Sequence, residues 1–319
     1  MLLARTAESI YWIGRYTERA ECTARLVKTH ANQVFDLPVS TGAATWEPLL
    51  WITGTNGRYE ATRATHVTEQ QVIDFLVTDV SNPSSIVSTL ARARENMRST
   101  RHRMPREAWE ALNALYLFAV DESGATGERS GRFRYLEHLV VETQKLTGIL
   151  HGTMSRDPAH AFFTLGQHLE RADMTSRVID VHADLLAFDG TDEGGFADVR
   201  WMWALKSVAA FQMYRRASGA PVAGSTLDFL LCDHRFPRSV AFCLDEVAHR
   251  LDTLERGSDA LDQCRAALRF VHDANVEHLE AGALHEWIDR LQIHFDAVHG
   301  AVLATWFRPT TERAPSAAA

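Results

Sequence analysis

Cysteine is scarce in this chain of 319 residues: Cys22, Cys232, Cys243 and Cys264 contain no Cys-x-x-Cys pair. That excludes the usual zinc-ribbon spacing and offers no disulfide framework, so the four read as reduced core thiols. Proline and glycine are few as well, at 9 and 18 residues. Convincing period-two alternation is missing, so no sheet is expected. No apolar run reaches the length of about 18 residues that a membrane span needs. The opening "MLLARTAESI" places Arg5 and Glu8 where a secretory signal requires an unbroken apolar stretch. A cytoplasmic protein without membrane association is expected. Basic charge is not in excess either. A net charge of −8 argues against a nucleic-acid binder that relies on neutralising phosphates, leaving only local patches to consider. Finally, Gly-x-x-x-x-Gly-Lys-Ser/Thr, Gly-x-Gly-x-x-Gly, Gly-x-Ser-x-Gly and His-Glu-x-x-His are all absent. The standard phosphate loop, dinucleotide fold, nucleophile elbow and zinc-protease helix go with them, and no cofactor is expected.

What remains is the composition of an ordinary globular protein, with 46% hydrophobic and 23% charged residues. Apolar residues recur at spacings of three and four almost throughout, which predicts an all-α fold. Asn82-Pro83 and Asp157-Pro158 each look like an N-cap followed by a first-turn proline, and Met104-Pro105 looks like a break before a new helix. The Gly/Ser-rich stretch "DESGATGERSG" at 121–131 reads as a loop, and "DGTDEGG" at 189–195 as a second polar break. These signals divide the chain into a first helical repeat at 1–120, the loop at 121–131, a second repeat with additional helices at 132–307, and a disordered tail at 308–319.

The word "repeat" rests on a correspondence. "GRYTERAECTAR" at 14–25 and "GQHLERADMTSR" at 166–177 are identical at six of twelve positions. Trp46, Leu50 and Tyr59 align with Trp201, Leu205 and Tyr214, and "DFLVTDVSNPSSI" aligns with "DFLLCDHRFPRSV", while the offset drifts only from 152 to 155. Constant order at near-constant offset predicts an internally duplicated bundle with pseudo-twofold symmetry. Both copies of the repeated helix have apolar residues around most of their circumference, so both should be central, and their charges then need partners. Packing about a pseudo-twofold would let Glu18 meet Arg171 while Glu170 meets Arg19, with Gly14 and Gly166 permitting close approach. In a second reading, the same pairs line a polar pocket for a carboxylate, phosphate or peptide.

A basic cluster, Arg92, Arg94, Arg98, Arg101, Arg103 and Arg106, has a net acidic equivalent in the second half. It is either a solvated or internal face, or an anion or acidic-partner surface with Arg94, Arg98 and Arg101 in one row. Glu246-x-x-His249 has di-iron spacing but lacks the companion motif, and the late histidines show no compact ligand pattern, so no metal is expected.

"LLARTAESIYWIGRYTERAECTARLV", "ARARENMRSTRHRM", "WEALNALY" and "FFTLGQHLERAD" together resemble the bacterial Alpha-E family, over most of the chain to about residue 307. The resemblance maps the family's Glu-Arg motif onto Glu18-Arg19, with Glu170-Arg171 as its counterpart, and also covers Arg94, Glu95, Asn96 and Arg98. It implies a neighbourhood of circularly permuted ATP-grasp ligases and transglutaminase-like proteins, hence a peptide synthesis or modification system. The expected role is that of a non-catalytic accessory partner to the carboxylate-amine ligase, because phosphate-binding lysines and magnesium carboxylates are not recognisable here. The alternatives are an enzyme using the Glu-Arg pairs as acid-base and carboxylate-orienting groups, or a structural helical scaffold.

Overall fold

Two long helices form the centre: α1 (Ala4–Asp36) and α8 (Pro158–Phe188). The computed structural model describes residues 2–36, 46–62, 67–188, 196–279 and 281–308. The expected break at 189–195 and the tail beyond residue 308 lie outside the described residues.

After α1 come α2 (Glu47–Ile52), α3 (Asn56–Thr62), α4 (Glu69–Val77), α5 (Ile86–Ser99), α6 (Arg106–Asp121) and α7 (Arg129–Thr153). After α8 come α9 (Phe196–Ser207), α10 (Phe211–Ser218), α11 (Ala223–Cys232), α12 (Val240–Thr253), α13 (Ser258–His272) and α14 (Ala281–Val302). The described residues contain no strand, and the fold is all-α. None of the helices is long and apolar enough to cross a membrane. A short π-turn, Leu303–Phe307, ends the described chain and packs Phe307 on Tyr11, with ring centroids 5.5 Å apart.

Local chemistry explains several helix starts. Asp157 caps α8, its Oδ1 accepting from the N–H groups of Ala159 at 3.0 Å and His160 at 3.1 Å, with Pro158 where a missing N–H costs nothing. Pro105 likewise directly precedes α6. The Asn82-Pro83 expectation is corrected: α5 starts later, capped by Ser85, whose hydroxyl accepts from Ser88 N–H at 3.2 Å. Asn82 is fully buried in the preceding turn, donating to the Phe75 carbonyl at 2.9 Å and accepting from Ser84 N–H at 3.0 Å. An Asx side chain that satisfies a turn is no longer free to cap a helix.

The loop expected at 121–131 is also corrected. A 3-10 helix occupies Ser123–Gly127 and α7 begins at Arg129. The tight connection is held by the buried Arg132, which donates to the Thr126 carbonyl at 3.1 Å and pairs with Glu69 of α4. From there α7 packs on α1 and α6, so residues 132–153 belong structurally with the first half.

Helix α1 is covered by α5 and α7, and α8 by α12 and α14, while α1 and α8 lie against each other. Tyr11, Ile13, Phe163 and Ile179 are completely buried. Burial of side chains of this size contributes about 1.5–3 kcal/mol each. Cys22, Cys243 and Cys264 are buried and Cys232 half-buried, all as free thiols.

Candidate functional site

The α1–α8 contact is unusually close because neither helix has a side chain at its centre. A Cβ on Gly14 would lie 2.2 Å from the Phe163 carbonyl oxygen, and one on Gly166 would lie 2.0 Å from that of Tyr11. The helices run side by side in the same direction: Gly14 meets Phe163 near their starts, and His30 and His182 line one space near their ends. Parallel macrodipoles repel slightly, and the aligned backbones gain no favourable pairing of their own.

Charged side chains tie the helices together. Arg171 forks onto Glu18, its Nε and Nη2 each donating at 2.7 Å. Arg19 forks onto Glu170 through Nε at 2.5 Å and Nη2 at 3.0 Å. Each repeated Glu-Arg dipeptide therefore gives its glutamate to one cross-helix pair and its arginine to the other. The glutamates are almost completely buried, at 3% and 1% exposure.

Each carboxylate holds another cation, and here the two halves differ. Arg15 of α1 donates to Glu170 at 2.5 Å and to the Tyr11 hydroxyl at 3.1 Å. Its position in α8 is occupied by Gln167. Glu18 instead receives Arg238, from the turn before α12, at 3.2 Å, and Arg238 also donates to Glu21 at 2.8 Å. Ser84 stands at the corresponding place in the first half. Glu21 is further paired with Arg25, and Asp173 with Arg177 at 2.9 Å. Sequence reasoning missed Arg15 and Arg238. Their signal was indirect: a buried carboxylate has more acceptor sites than one guanidinium fills.

Burial alone would raise the Glu170 carboxyl, but Arg19 and Arg15 hold it down, from its ordinary 4.5 to about 2. Glu21 reaches about 2 by the same opposition, with Arg238 and Arg25 outweighing burial. Such carboxylates are fixed anions, unable to shuttle protons near neutrality. Their contribution to stability is complete above the ordinary value and is lost as pH falls toward 2, because the unfolded chain takes up the proton first. Buried histidines act earlier. Burial, with nearby positive charge, depresses His160 and His299 to about 4 and His182 to about 3. Since each stays neutral in the fold but charges when unfolded, stability starts to fall below about pH 6.5. The urea midpoint is therefore expected to decline from about pH 6.5 and to steepen below about 4.5. Replacing Glu170 should flatten only the lower limb, as urea titrations across that range would test.

The arginine cluster is partly organised by aromatic rings. Arg94 donates to Asn113 at 2.8 Å and lies over the rings of Trp109, at 5.8 Å, and Tyr116, at 5.1 Å. Arg101 covers Trp109 at 4.8 Å. Arg98 is exposed and paired with Glu95 at 2.6 Å, while Asn96 is half-buried beside it on α5. Arg94, Arg98 and Arg101 thus share one side of the α5–α6 corner, with Trp109 between two of them. This face and the Glu-Arg network are separate.

Among the described residues, two groups have ligand-like spacing. Ligand atoms of Glu18, Glu21 and Cys22 lie within 4.8 Å of one another, as do those of Asp180, Asp184 and His285. Arg171 and Arg238 already fill the first group. In the second, His285 Nδ1 lies 2.8 Å from Asp180, an arrangement that the hydrogen bond itself explains and sequence spacing did not reveal. Glu246 accepts from Arg250 at 2.9 Å, and the sequence holds no second Glu-x-x-His motif.

A family model described as a predicted alpha-helical domain with a conserved ER motif, Alpha-E, matches residues 2–307. The chain belongs to the Alpha-E family. Both Glu-Arg dipeptides of this Alpha-E chain lie in the crossed pairs. It is similar to an uncharacterized protein of Mycobacterium bovis, 21% identical over 88% of this chain and 34% of the relative. Uncharacterized proteins of two Mycobacterium tuberculosis strains match over the same shares at 21% and 20% identity. The Alpha-E chain therefore spans about a third of the length of the curated relatives it matches. No solved structure matches it.

Proposed function

We propose that this Alpha-E protein is a cytoplasmic, non-catalytic partner of a carboxylate-amine ligase of the circularly permuted ATP-grasp type, serving peptide synthesis or modification. The observation that carries this reading is the α5–α6 face, where Arg94 and Arg101 lie on Trp109 and Arg98 is open to solvent. Arginine held on an aromatic ring keeps its charge while losing little conformational freedom on binding, which suits an acidic partner surface or a peptide carboxylate. The relatives' greater length supports a unit that works beside other domains. A transglutaminase-like protein and the peptide substrate are the other partners this setting suggests. The internally duplicated origin is part of the same proposal, supported by the matching order of α1–α6 and α8–α13.

Catalysis by the Glu-Arg pairs is the weaker reading. Both oxygens of Glu18 and Glu170 are occupied by guanidinium groups, and the carboxylates are sealed from solvent. The test is affinity capture from native cytoplasm, comparing wild type with Arg98→Glu/Arg101→Glu, which spares the Arg94–Asn113 bond. Wild type should retain an ATP-grasp ligase, and the charge-reversed protein about tenfold less at equal folding. Wild type that retains none, in exchange for turnover in a carboxylate-substrate screen that Glu18→Gln abolishes, would decide for the enzyme.

A further inference from the structure

The far ends of α1 and α8 differ in a way that their middles do not. Helix α7 lies along α1 as α14 lies along α8, and the two covering helices begin at Arg129 and Ala281, the same offset of 152 that separates Gly14 from Gly166. In the first half a cation of the chain closes this contact. Lys28 of α1 donates to Glu137 of α7 and lies over the Phe133 ring, 5.6 Å from its centroid. Asn32 lines the same space.

In the second half each of those places carries a metal-ligand type of side chain. At the same offset Asp180 stands for Lys28, Asp184 for Asn32, His285 for Phe133 and Asp289 for Glu137. All four line one cavity of about 370 Å³. The place has kept its anion, lost its ammonium and gained two carboxylates. One imidazolium can balance a single carboxylate, whereas a divalent ion balances two. Arg177 also borders the cavity but is engaged with Asp173 at 2.9 Å.

The distances fit a single ion. His285 Nδ1 lies 2.8 Å from Asp180 and 3.8 Å from Asp184, and ligand atoms of the three lie within 4.8 Å of one another. Two donors on one tetrahedral zinc are about 3.4 Å apart. The hydrogen bond accounts for Asp180 beside His285, and it leaves the convergence of Asp184 on the same nitrogen unexplained. On the other side of the ring, Nε2 is 3.7 Å from Asp289. A carboxylate there orients a metal-bound imidazole by accepting from its remaining N–H.

We propose that Asp180, Asp184 and His285 form a divalent transition-metal site taking zinc, with Asp289 orienting the histidine and water completing the coordination. Imidazole mixed with carboxylates suits zinc, whereas magnesium and calcium take oxygen ligands. The ion joins α14 to α8 as Lys28 joins α7 to α1. Spacing along the chain concealed this set, because His285 and Asp180 are 105 residues apart.

The full chain, stripped of metal, should bind one zinc ion with a dissociation constant of about 10 μM or tighter in titration calorimetry. Asp184→Asn and His285→Phe restore the first-half residues at exposed places, and each should weaken binding by about tenfold or more. Asp180→Lys should abolish it, the lysine pairing with Asp289 as Lys28 pairs with Glu137. Crystals grown with zinc should show an anomalous peak within about 2.3 Å of His285 Nδ1. Undiminished affinity in any of these folded variants, displacement of zinc by about a hundredfold excess of magnesium, or anomalous density only at other histidines overturns the proposal. Absence of zinc binding by the wild type does so as well.

Discussion

Glu170→Leu is expected to destabilise the fold by about 3–5 kcal/mol, the loss typical of breaking a buried ion pair from one side. The reason lies less in the lost attraction than in what is left behind. Arg15 and Arg19 both donate to Glu170 and are mostly buried, so its removal strands two guanidinium groups in a low-dielectric interior. The loss should therefore be partly reversible. Glu170→Leu combined with Arg15→Met and Arg19→Met removes the charges together and replaces them with apolar groups of comparable length, which is often near neutral. Equilibrium urea unfolding of the single, double and triple variants measures the coupling directly. If the triple variant were as unstable as Glu170→Leu alone, stranded charge would not be the cause.

The second large effect is steric. Gly166→Ala is expected to cost about 3 kcal/mol, and Gly14→Ala a similar amount, the upper end for overpacking. An added Cβ at Gly166 meets the Tyr11 carbonyl oxygen at 2.0 Å and the Arg15 amide nitrogen at 3.2 Å; at Gly14 it meets the Phe163 carbonyl oxygen at 2.2 Å and the Gln167 nitrogen at 2.8 Å. These neighbours are backbone atoms of a long helix and cannot swing aside as a side chain would. Relief requires the helices to separate, which stretches the cross-helix Glu-Arg bonds as well. Gly148 in α7 provides the control, because a Cβ there meets nothing within 4 Å. Gly148→Ala should stabilise by about 0.5–1 kcal/mol through helix propensity alone. Equal losses at Gly148 and Gly166 in urea melts would show that the tight crossing is not responsible.

Both effects bear on what the Glu-Arg motif is for. A motif found twice in a chain, on two helices that touch, need not mark a reaction centre. Here it marks the place where two parallel helices are held together without side-chain bulk between them. The surface we propose for recognition is a different one, the α5–α6 corner, where the first half carries Arg98 and Arg101 while Asp252 and Glu255 stand at the aligned places in the second.

Much of this was legible in the residues. Period-three and period-four apolar spacing gave the helical class, and the offset between "GRYTERAECTAR" and "GQHLERADMTSR" named the two helices that meet. It also named the glutamate and arginine on each that face the other. Boundaries were less legible. Asn82 looked like a cap until its side chain was seen bonded to Phe75 and Ser84, and the run at 121–131 looked like a loop because its composition does not reveal that Arg132 anchors it.

The sequence by itself determined which faces of α1 and α8 are apolar, and that each must place charges among apolar neighbours, because helical periodicity is a local property. Only the tertiary structure decided that Arg15 and Arg238 complete the two carboxylate clamps and that Arg94 and Arg101 share Trp109. Those partners come from different helices and turns, and the path that brings them together depends on packing across the whole molecule. A buried charge states in the sequence that it needs a partner, and the fold chooses which one.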